Sequence, residues 1–150
     1  MKTLREKGFT LVEILIVMVI LGILAAIVIP QFTQASQEAR LSELINNLQT
    51  VRTQIELYKI QHNGQFPGTA AKLDFVSALT SYTYADGSLS VAGAPRTFGK
   101  YLQRMPKNPF TLTNDVGVSG QEPQPGTCAW FFNTSTGEFQ ANDSTVHSVY

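Results

Sequence analysis

The sequence predicts an α+β protein in which one long N-terminal α-helix precedes a small C-terminal domain. Residues 9–29 form an almost uncharged apolar run, and apolar residues between Leu44 and Tyr58 then recur every three or four positions, which places them on one face of a helix. After Gly64, short alternating segments are separated by glycine, proline and asparagine, the pattern of short strands joined by turns. A chain of 150 residues therefore holds a small domain carried on a long helix.

The N-terminal segment has the composition of a membrane-spanning helix. Within the 21 residues 9–29, Thr10 and Glu13 are the only plainly polar ones. Such a helix is about 31 Å long, close to the roughly 30 Å hydrocarbon thickness of a bilayer. Three basic residues precede it, against one acid: Lys2, Arg5 and Lys7, with Glu6. Basic flanks stay in the cytoplasm, so the rest of the chain is expected to cross the membrane.

Two other interpretations of this segment stay open. A secretory signal peptide also joins a basic start to an apolar stretch, and Ala25 and Ala26 resemble its cleavage site. The apolar run is longer than in such peptides, however, and contains a carboxylate near its start. An anchor that is never cut would leave Glu13 without a purpose, although an ionised carboxylate in a bilayer costs about 2.5 to 3.5 kcal/mol. Glu13 is therefore predicted to be functional.

The helical pattern continues beyond the apolar run with one apolar stripe. The stripe consists of Leu44, Leu48, Val51, Ile55 and Tyr58, widened by Leu41 and Ile45. The opposite face is charged and carries Glu43, Arg52, Glu56 and Lys59. A coiled-coil seam is the alternative, but about two heptads are short for one, so the stripe is expected to pack on the chain's own domain. Asn63-Gly64 predicts the end of the helix near His62, and Pro30 removes one backbone donor within it.

A short helix and a hairpin are predicted at the start of the C-terminal domain. Thr69 is expected to cap the helix, which ends near Ser81. Its apolar positions are Leu73, Val76 and Leu79. Residues 82–84 and 89–91 alternate around Asp86-Gly87 and predict an antiparallel hairpin.

The remainder of the domain is predicted to be a long loop followed by a second hairpin. Residues 92–128 contain much of the proline and glycine and are expected to be largely loop. Residues 129–132 and 138–141 predict an antiparallel hairpin around a turn at residues 133–137. Its aromatic side chains are expected in the core. A carbohydrate-binding platform of Trp130 and Phe132 is the alternative.

Composition and spacing exclude several function classes. The 11 basic and 11 acidic residues cancel, so no global field attracts nucleic acid. His62 and His147 lie far apart in the sequence, and there is no phosphate-binding loop or dinucleotide fingerprint, so no catalytic or metal site is predicted. The single cysteine, Cys128, forms no intrachain disulfide and is expected to act as a small buried hydrophobic residue. The chain is not expected to be an enzyme.

A family resemblance rests on the string Lys7-Gly8-Phe9-Thr10-Leu11-Val12-Glu13, followed by the apolar run. This string resembles the class III signal of type IV pilins and of type II secretion pseudopilins. Gly22 and Pro30 also stand where that family has a helix-weakening glycine and a proline. The resemblance implies the pilin fold and a filament of associated subunits.

The resemblance also implies how the N-terminus is processed. A prepilin peptidase would cut between Gly8 and Phe9 on the cytoplasmic face and methylate the new amino group of Phe9. Glu13, expected to lack a partner within its own chain, would pair with the Phe9 ammonium of a neighbouring subunit during filament assembly, because opposite charges attract strongly in an apolar surrounding.

The C-terminal domain narrows the resemblance to the major pseudopilin of type II secretion. The similar stretches are Gln65-Phe66-Pro67, Tyr101-Leu102, Pro106 and Asn108-Pro109-Phe110. Many type IV pilins close their C-terminal loop with a disulfide, which this chain cannot form. Pseudopilins often close it with calcium, but here Asn108 stands where an aspartate is usual. The remaining acids, which are Asp115, Glu122, Glu138 and Asp143, follow no ligand spacing, so no cofactor is predicted and calcium stays an alternative.

The expected function is therefore that of a structural subunit of a type II secretion pseudopilus. The alternative is a surface type IV pilus for adhesion, motility or DNA uptake. The expected parts are a leader (1–8), a membrane and filament-core helix (9–30), its amphipathic continuation (31–63) and a head (64–150). The resemblance implies self-association and contact with prepilin peptidase, with an inner-membrane assembly platform and with minor pseudopilins. It implies no binding of nucleic acid. It also implies a protein that crosses the inner membrane once and has its head in the periplasm.

Overall fold

The computed structural model describes residues 8–69 and 73–150. Two α-helices, α1 (Leu11–Gln61) and α2 (Phe75–Thr80), precede five short strands. The strands are β1 (Tyr82–Thr83), β2 (Leu89–Ser90), β3 (Val116–Ser119), β4 (Trp130–Asn133) and β5 (Phe139–Ala141), followed by a 3₁₀ turn at His147–Val149. The predicted α+β class, with a long N-terminal helix and a small C-terminal domain of the pilin type, is confirmed.

Helix α1 has the predicted extent. It begins at Leu11, includes Pro30 in its interior and ends at Gln61. Asn63 and Gly64 then adopt positive φ angles of 57° and 82°, and the Gly64 N–H donates to the Lys59 carbonyl at 2.8 Å. A left-handed residue directly after a helix turns the chain away and satisfies its last carbonyls. The basic residues Lys2, Arg5 and Lys7 lie outside the described residues.

The chain forms two compact units, Met1–Ala39 and Arg40–Tyr150. The core of the second unit includes the predicted stripe of α1, since Leu44, Leu48, Val51, Ile55 and Tyr58 are all buried. Leu41 packs against this core, and Ile45 is partly buried. The helical spacing therefore identified the packed face of α1 correctly, and the partner of this stripe is the chain's own domain.

The predicted cap of α2 is wrong. Asp74, not Thr69, is the N-cap: its carboxylate accepts a hydrogen bond from the Ser77 N–H at 3.1 Å. The hydroxyl of Thr69 instead donates to the Phe66 carbonyl at 2.6 Å. Leu73 consequently precedes the helix, whereas the predicted end before Ser81 is confirmed. An aspartate satisfies the first free N–H groups of a helix at least as well as a threonine, and Asp74 stands nearer to the apolar positions.

The strands form two small sheets. In one, β1 and β2 pair antiparallel, as predicted. In the other, β4 pairs antiparallel with β5, as predicted, and also pairs parallel with β3. The prediction of antiparallel hairpins, with residues 92–128 largely in loop, therefore missed the parallel strand β3. This strand is Val-Gly-Val-Ser with no fully buried residue, so the alternation that marks a half-buried strand is weak.

Aromatic side chains of β4 and β5 fill the core, as predicted. Trp130, Phe132 and Phe139 are at most 1% exposed, so they present no platform for carbohydrate. Phe66 packs edge-on against Phe132 with ring centroids 5.9 Å apart. The turn before β5 requires glycine at position 137, because its φ is +80° and a β-carbon would lie 2.2 Å from the Phe66 ring.

Candidate functional site

The Gly8–Phe9 bond lies in an accessible, non-helical segment. Residues 8–10 precede α1 and are exposed, and Phe9 is 82% exposed. A peptide bond outside regular structure is the kind that a peptidase can bind in extended form. The described part of this segment therefore presents the junction that the sequence predicts as a cleavage site.

Thr10 and Glu13 cap the start of α1 reciprocally. The Thr10 N–H and hydroxyl donate to Glu13 Oε2 at 2.9 and 2.8 Å. In return, the Glu13 N–H donates to Thr10 Oγ1 at 3.2 Å. This arrangement is a capping box, which satisfies two otherwise free N–H groups at a helix start.

The capping box corrects the expectation that Glu13 has no partner within its own chain. Its carboxylate is held by Thr10, whose role the sequence analysis missed. The signal was present, since a threonine followed three residues later by a glutamate before an apolar run marks a helix start. The two bonds from Thr10 both end on Oε2, and in the described part of the chain Oε1 accepts none.

The first unit exposes a long apolar surface. Its large hydrophobic side chains from Phe9 to Phe32 are 46 to 82% exposed. No charged residue occurs between Glu13 and Glu38. Among the described residues, α1 is the one helix long and apolar enough to cross a membrane. An apolar surface of this extent requires lipid or other apolar helices around it.

The two histidines are not brought together. His62 is fully buried and stacks on Tyr58, with ring centroids 3.7 Å apart. Its Nδ1 lies 2.8 Å from the Tyr58 carbonyl, which only accepts, so Nδ1 carries the hydrogen and Nε2 accepts from the Thr83 hydroxyl at 2.9 Å. Burial lowers the pKa of His62, because a low-dielectric surrounding disfavours the imidazolium. His62 is thus a structural residue.

His147 belongs to a separate polar cluster at the C-terminal segment. Its Nδ1 contacts Asp143 Oδ2, and its ring packs 4.0 Å from that of Phe110. Asp143 Oδ1 accepts from Asn108 Nδ2 at 2.8 Å. Two of the residues weighed for calcium, Asn108 and Asp143, are therefore in direct contact.

The acids weighed for calcium are divided between several cavities. Asp115 and Asp143 line one of about 270 Å³, Glu122 lines another, and Glu138 lines a third beside Arg52. No group of three or more histidine, cysteine, aspartate or glutamate side chains able to hold a metal occurs in residues 8–69 and 73–150.

Cys128 is partly buried rather than fully buried. Its thiol donates to the Trp130 carbonyl at 3.0 Å, and its sulfur accepts from Asn142 Nδ2 at 3.0 Å. The side chain therefore has polar partners in addition to its packing role.

Comparison with known proteins supports the N-terminal motif. Residues 3–29 match the family described as the prokaryotic N-terminal methylation motif. This match spans the Gly8–Phe9 junction, the capping box and the apolar run. No solved structure matches the chain.

Three curated relatives match far more of the chain, and each is named type II secretion system core protein G. The protein of Vibrio cholerae is 31% identical over 93% of this chain and 100% of its own length. That of Klebsiella pneumoniae is 31% identical over 80% of both chains. That of Aeromonas hydrophila is 32% identical over 73% of this chain and 71% of its own. Since the identity extends through both the apolar helix and the C-terminal domain, this chain belongs to the family of type II secretion system core protein G.

Proposed function

We propose that this chain is the major pseudopilin of a type II secretion system, a structural subunit whose copies associate into a pseudopilus. One observation carries the proposal. It is the similarity to the Vibrio cholerae protein, which covers the whole of that protein. The methylation motif, which coincides with the exposed apolar segment, supports it. The proposed role is structural, because an exposed apolar helix of this length serves association with lipid or with other helices.

Processing at the N-terminus is the first step of the proposed function. Prepilin peptidase cuts between Gly8 and Phe9 and methylates the new Phe9 amino group. The exposed, non-helical position of this junction supports cleavage there. The cut removes the basic residues Lys2, Arg5 and Lys7 and leaves an ammonium four positions before Glu13.

Glu13 then directs assembly through the oxygen that the capping box leaves open. Thr10 holds Oε2, which leaves Oε1 available to a donor from outside the chain. The Phe9 ammonium of a neighbouring subunit supplies that donor. In an apolar helix bundle such a pair offsets the desolvation of both ions, and its short range fixes the axial register of the two subunits.

The apolar half of α1 anchors the chain in the inner membrane. Positive charge before the span favours a cytoplasmic N-terminus and hence a periplasmic head, residues 64–150, carried on the amphipathic part of the helix. Assembly would then require prepilin peptidase, an inner-membrane platform and minor pseudopilins. Residues 9–30 enter the filament core, and the heads form its surface.

The test combines N-terminal sequencing with a secretion assay in a strain lacking the native gene. Membrane-extracted wild-type protein should begin at Phe9, and secreted enzymes should reach the medium. Gly8→Glu should leave the protein uncut and the enzymes trapped in the periplasm. Gln37→Glu, which adds the same charge on the exposed helix surface, is the control for cleavage and should be cut normally.

Two results would contradict the proposal. A mature start at Met1 or near Ala26 would refute cleavage at Gly8. Normal secretion in the deletion strain, accompanied by loss of long surface filaments, would assign the chain to a surface pilus instead.

A further inference from the structure

Three segments of the head meet at Asn108. They are the loop of residues 106–115, Ala129 directly before β4, and the C-terminal segment 142–147. The Asn108 side chain is fully buried. Its Nδ2 donates to the Ala129 carbonyl at 3.0 Å and to Asp143 Oδ1 at 2.8 Å, while its Oδ1 accepts from the Phe110 N–H at 2.9 Å. One amide thus connects all three segments.

The orientation of this amide follows from its partners. An amide nitrogen has two hydrogens to donate, and both acceptors that face it are oxygens. The reversed orientation would place Oδ1 against the Ala129 carbonyl and the Asp143 carboxylate, which cannot donate to it. The Asn108 backbone is also engaged, because its N–H donates to Thr113 and its carbonyl accepts from Leu112, both at 2.8 Å.

The carboxylates around Asn108 already have donors. Asp143 Oδ2 contacts His147 Nδ1. Asp115 Oδ2 accepts from the Ala129 N–H at 3.1 Å. The pKa of Asp115 is lowered, first by a hydrogen bond from the Thr113 side chain, so its charge is stabilised without a cation.

These residues do not fit calcium. Calcium needs six to eight oxygen ligands at about 2.3 to 2.6 Å. Where the Ala129 carbonyl and Asp143 converge, the structure has the Asn108 nitrogen, which is a donor and not a ligand. Because Asn108 Oδ1 accepts from the Phe110 N–H, the amide presents N–H groups and not an oxygen to the Ala129 carbonyl and Asp143, and a cation there would face these donors.

We propose that the Asn108 amide fastens segment 142–147 to the loop of residues 106–115, and that the head therefore keeps its fold and stability without calcium. Asn108 is then a positioning residue for the C-terminal segment. This inference concerns the head alone and does not depend on cleavage, assembly or secretion.

Trp130 provides a direct probe of this junction. It is the single tryptophan of the chain, is fully buried, and its indole N–H donates to the Pro106 carbonyl at 2.9 Å, two residues before Asn108. Thermal unfolding of the full-length, detergent-solubilised protein followed by tryptophan fluorescence therefore reports on the same loop.

Wild-type protein should unfold at the same temperature, within about 1 °C, in EGTA and in millimolar CaCl₂. Asn108→Asp should lower the midpoint by roughly 5 to 10 °C in EGTA, because it replaces the donor with an acceptor beside Asp143. Asn114→Asp is the matched control, since it adds the same charge at an exposed position of the same loop, and should shift the midpoint by less than about 2 °C.

Either of two results would overturn the proposal. One is a wild-type midpoint that falls by several degrees in EGTA, which would show that calcium closes the loop. The other is an Asn108→Asp midpoint equal to that of Asn114→Asp. If Asn108→Asp yields no folded protein, Asp143→Ala replaces it. It removes one of the two acceptors and should lower the midpoint by roughly 2 to 5 °C, and an unchanged midpoint would equally refute the role of Asn108.

Discussion

The two halves of α1 are one continuous helix but obtain their stability in different ways. Residues 11–39 expose every side chain, whereas from Arg40 onward the helix buries Leu44, Leu48, Val51, Ile55 and Tyr58 in the core of its own domain. Helical hydrogen bonds satisfy most of the backbone in both halves, although Pro30 supplies no donor in the first. Only the second half has its apolar side chains removed from water by the chain itself.

This difference shows which half needs partners. Burying a large aliphatic side chain contributes about 1.5 to 3 kcal/mol, and the second half gains this within one molecule. The first half gains it only in lipid or against the same half of other subunits. Substitutions in the first half should therefore affect insertion and assembly, and those in the second half should affect the stability of the head.

The largest effect is expected for Glu13→Leu. It removes a charge that is unfavourable in lipid, so insertion should be at least as good as in the wild type. In the filament it leaves the neighbour's Phe9 ammonium unpaired at a cost of about 3 to 5 kcal/mol, so assembly should fall by about 100-fold or more. Cell fractionation and a sheared-filament assay measure the two outcomes.

Glu13→Gln separates the charge from the shape of the side chain. It retains an oxygen for the Thr10 N–H but carries no charge, so it should assemble as poorly as Glu13→Leu. Normal filaments from either variant would refute charge pairing, although not cleavage at Gly8.

A pair of truncations tests the two halves directly. Leu48→Ala should destabilise the head by about 2 to 5 kcal/mol, because it creates a cavity in a fully buried core. Ile20→Ala, which removes a similar volume from the exposed half, should change head stability by less than about 0.5 kcal/mol. Denaturant unfolding of the solubilised protein, followed by Trp130 fluorescence, compares them. Equal losses would mean that the two halves are not independent.

Thr10→Val is expected to have a smaller effect within the first half. It removes the hydroxyl bonds of the capping box but keeps the Glu13 charge and the Thr10 N–H bond. Loss of a cap costs about 1 kcal/mol, so assembly in the sheared-filament assay should fall by less than about tenfold. A defect as large as that of Glu13→Leu would show that the cap, and not the charge, controls assembly.

The smallest effect at neutral pH concerns His62, which directly follows α1 and belongs to the second unit. Its pKa is lower in the folded head than in the unfolded chain because of burial, so below about pH 6.5 the unfolded chain binds more protons. The contribution of His62 to stability is therefore complete above that pH and declines as the pH falls toward 5.

The measurement for His62 is the unfolding midpoint of the head at pH 7.5, 6.5, 5.5 and 5.0. His62→Gln retains one side-chain donor and one acceptor, now on an amide, but does not titrate. The unfolding midpoint of this variant should therefore depend less on pH over this range. Parallel pH profiles for the two proteins would rule out His62 as the source of the acid sensitivity.

The sequence alone determined the features that depend on local pattern. Helical spacing identified α1, its buried stripe and its end at Asn63-Gly64, and the string around Gly8 and Glu13 indicated the family. These predictions succeeded because a long apolar run and a repeated spacing over many residues are strong signals. The string from Thr10 to Glu13 also contained the capping box, which was missed because Glu13 was considered only for partners outside the chain.

Tertiary structure decided the features that depend on residues distant in the sequence. Strand β3 forms because β4 offers it a parallel edge, which no local alternation in Val-Gly-Val-Ser indicates. Asn108 meets Ala129 and Asp143 only after the chain has folded. A hydrogen bond depends on the positions of both partners in space, and spacing along the chain does not specify those positions for residues in separate loops.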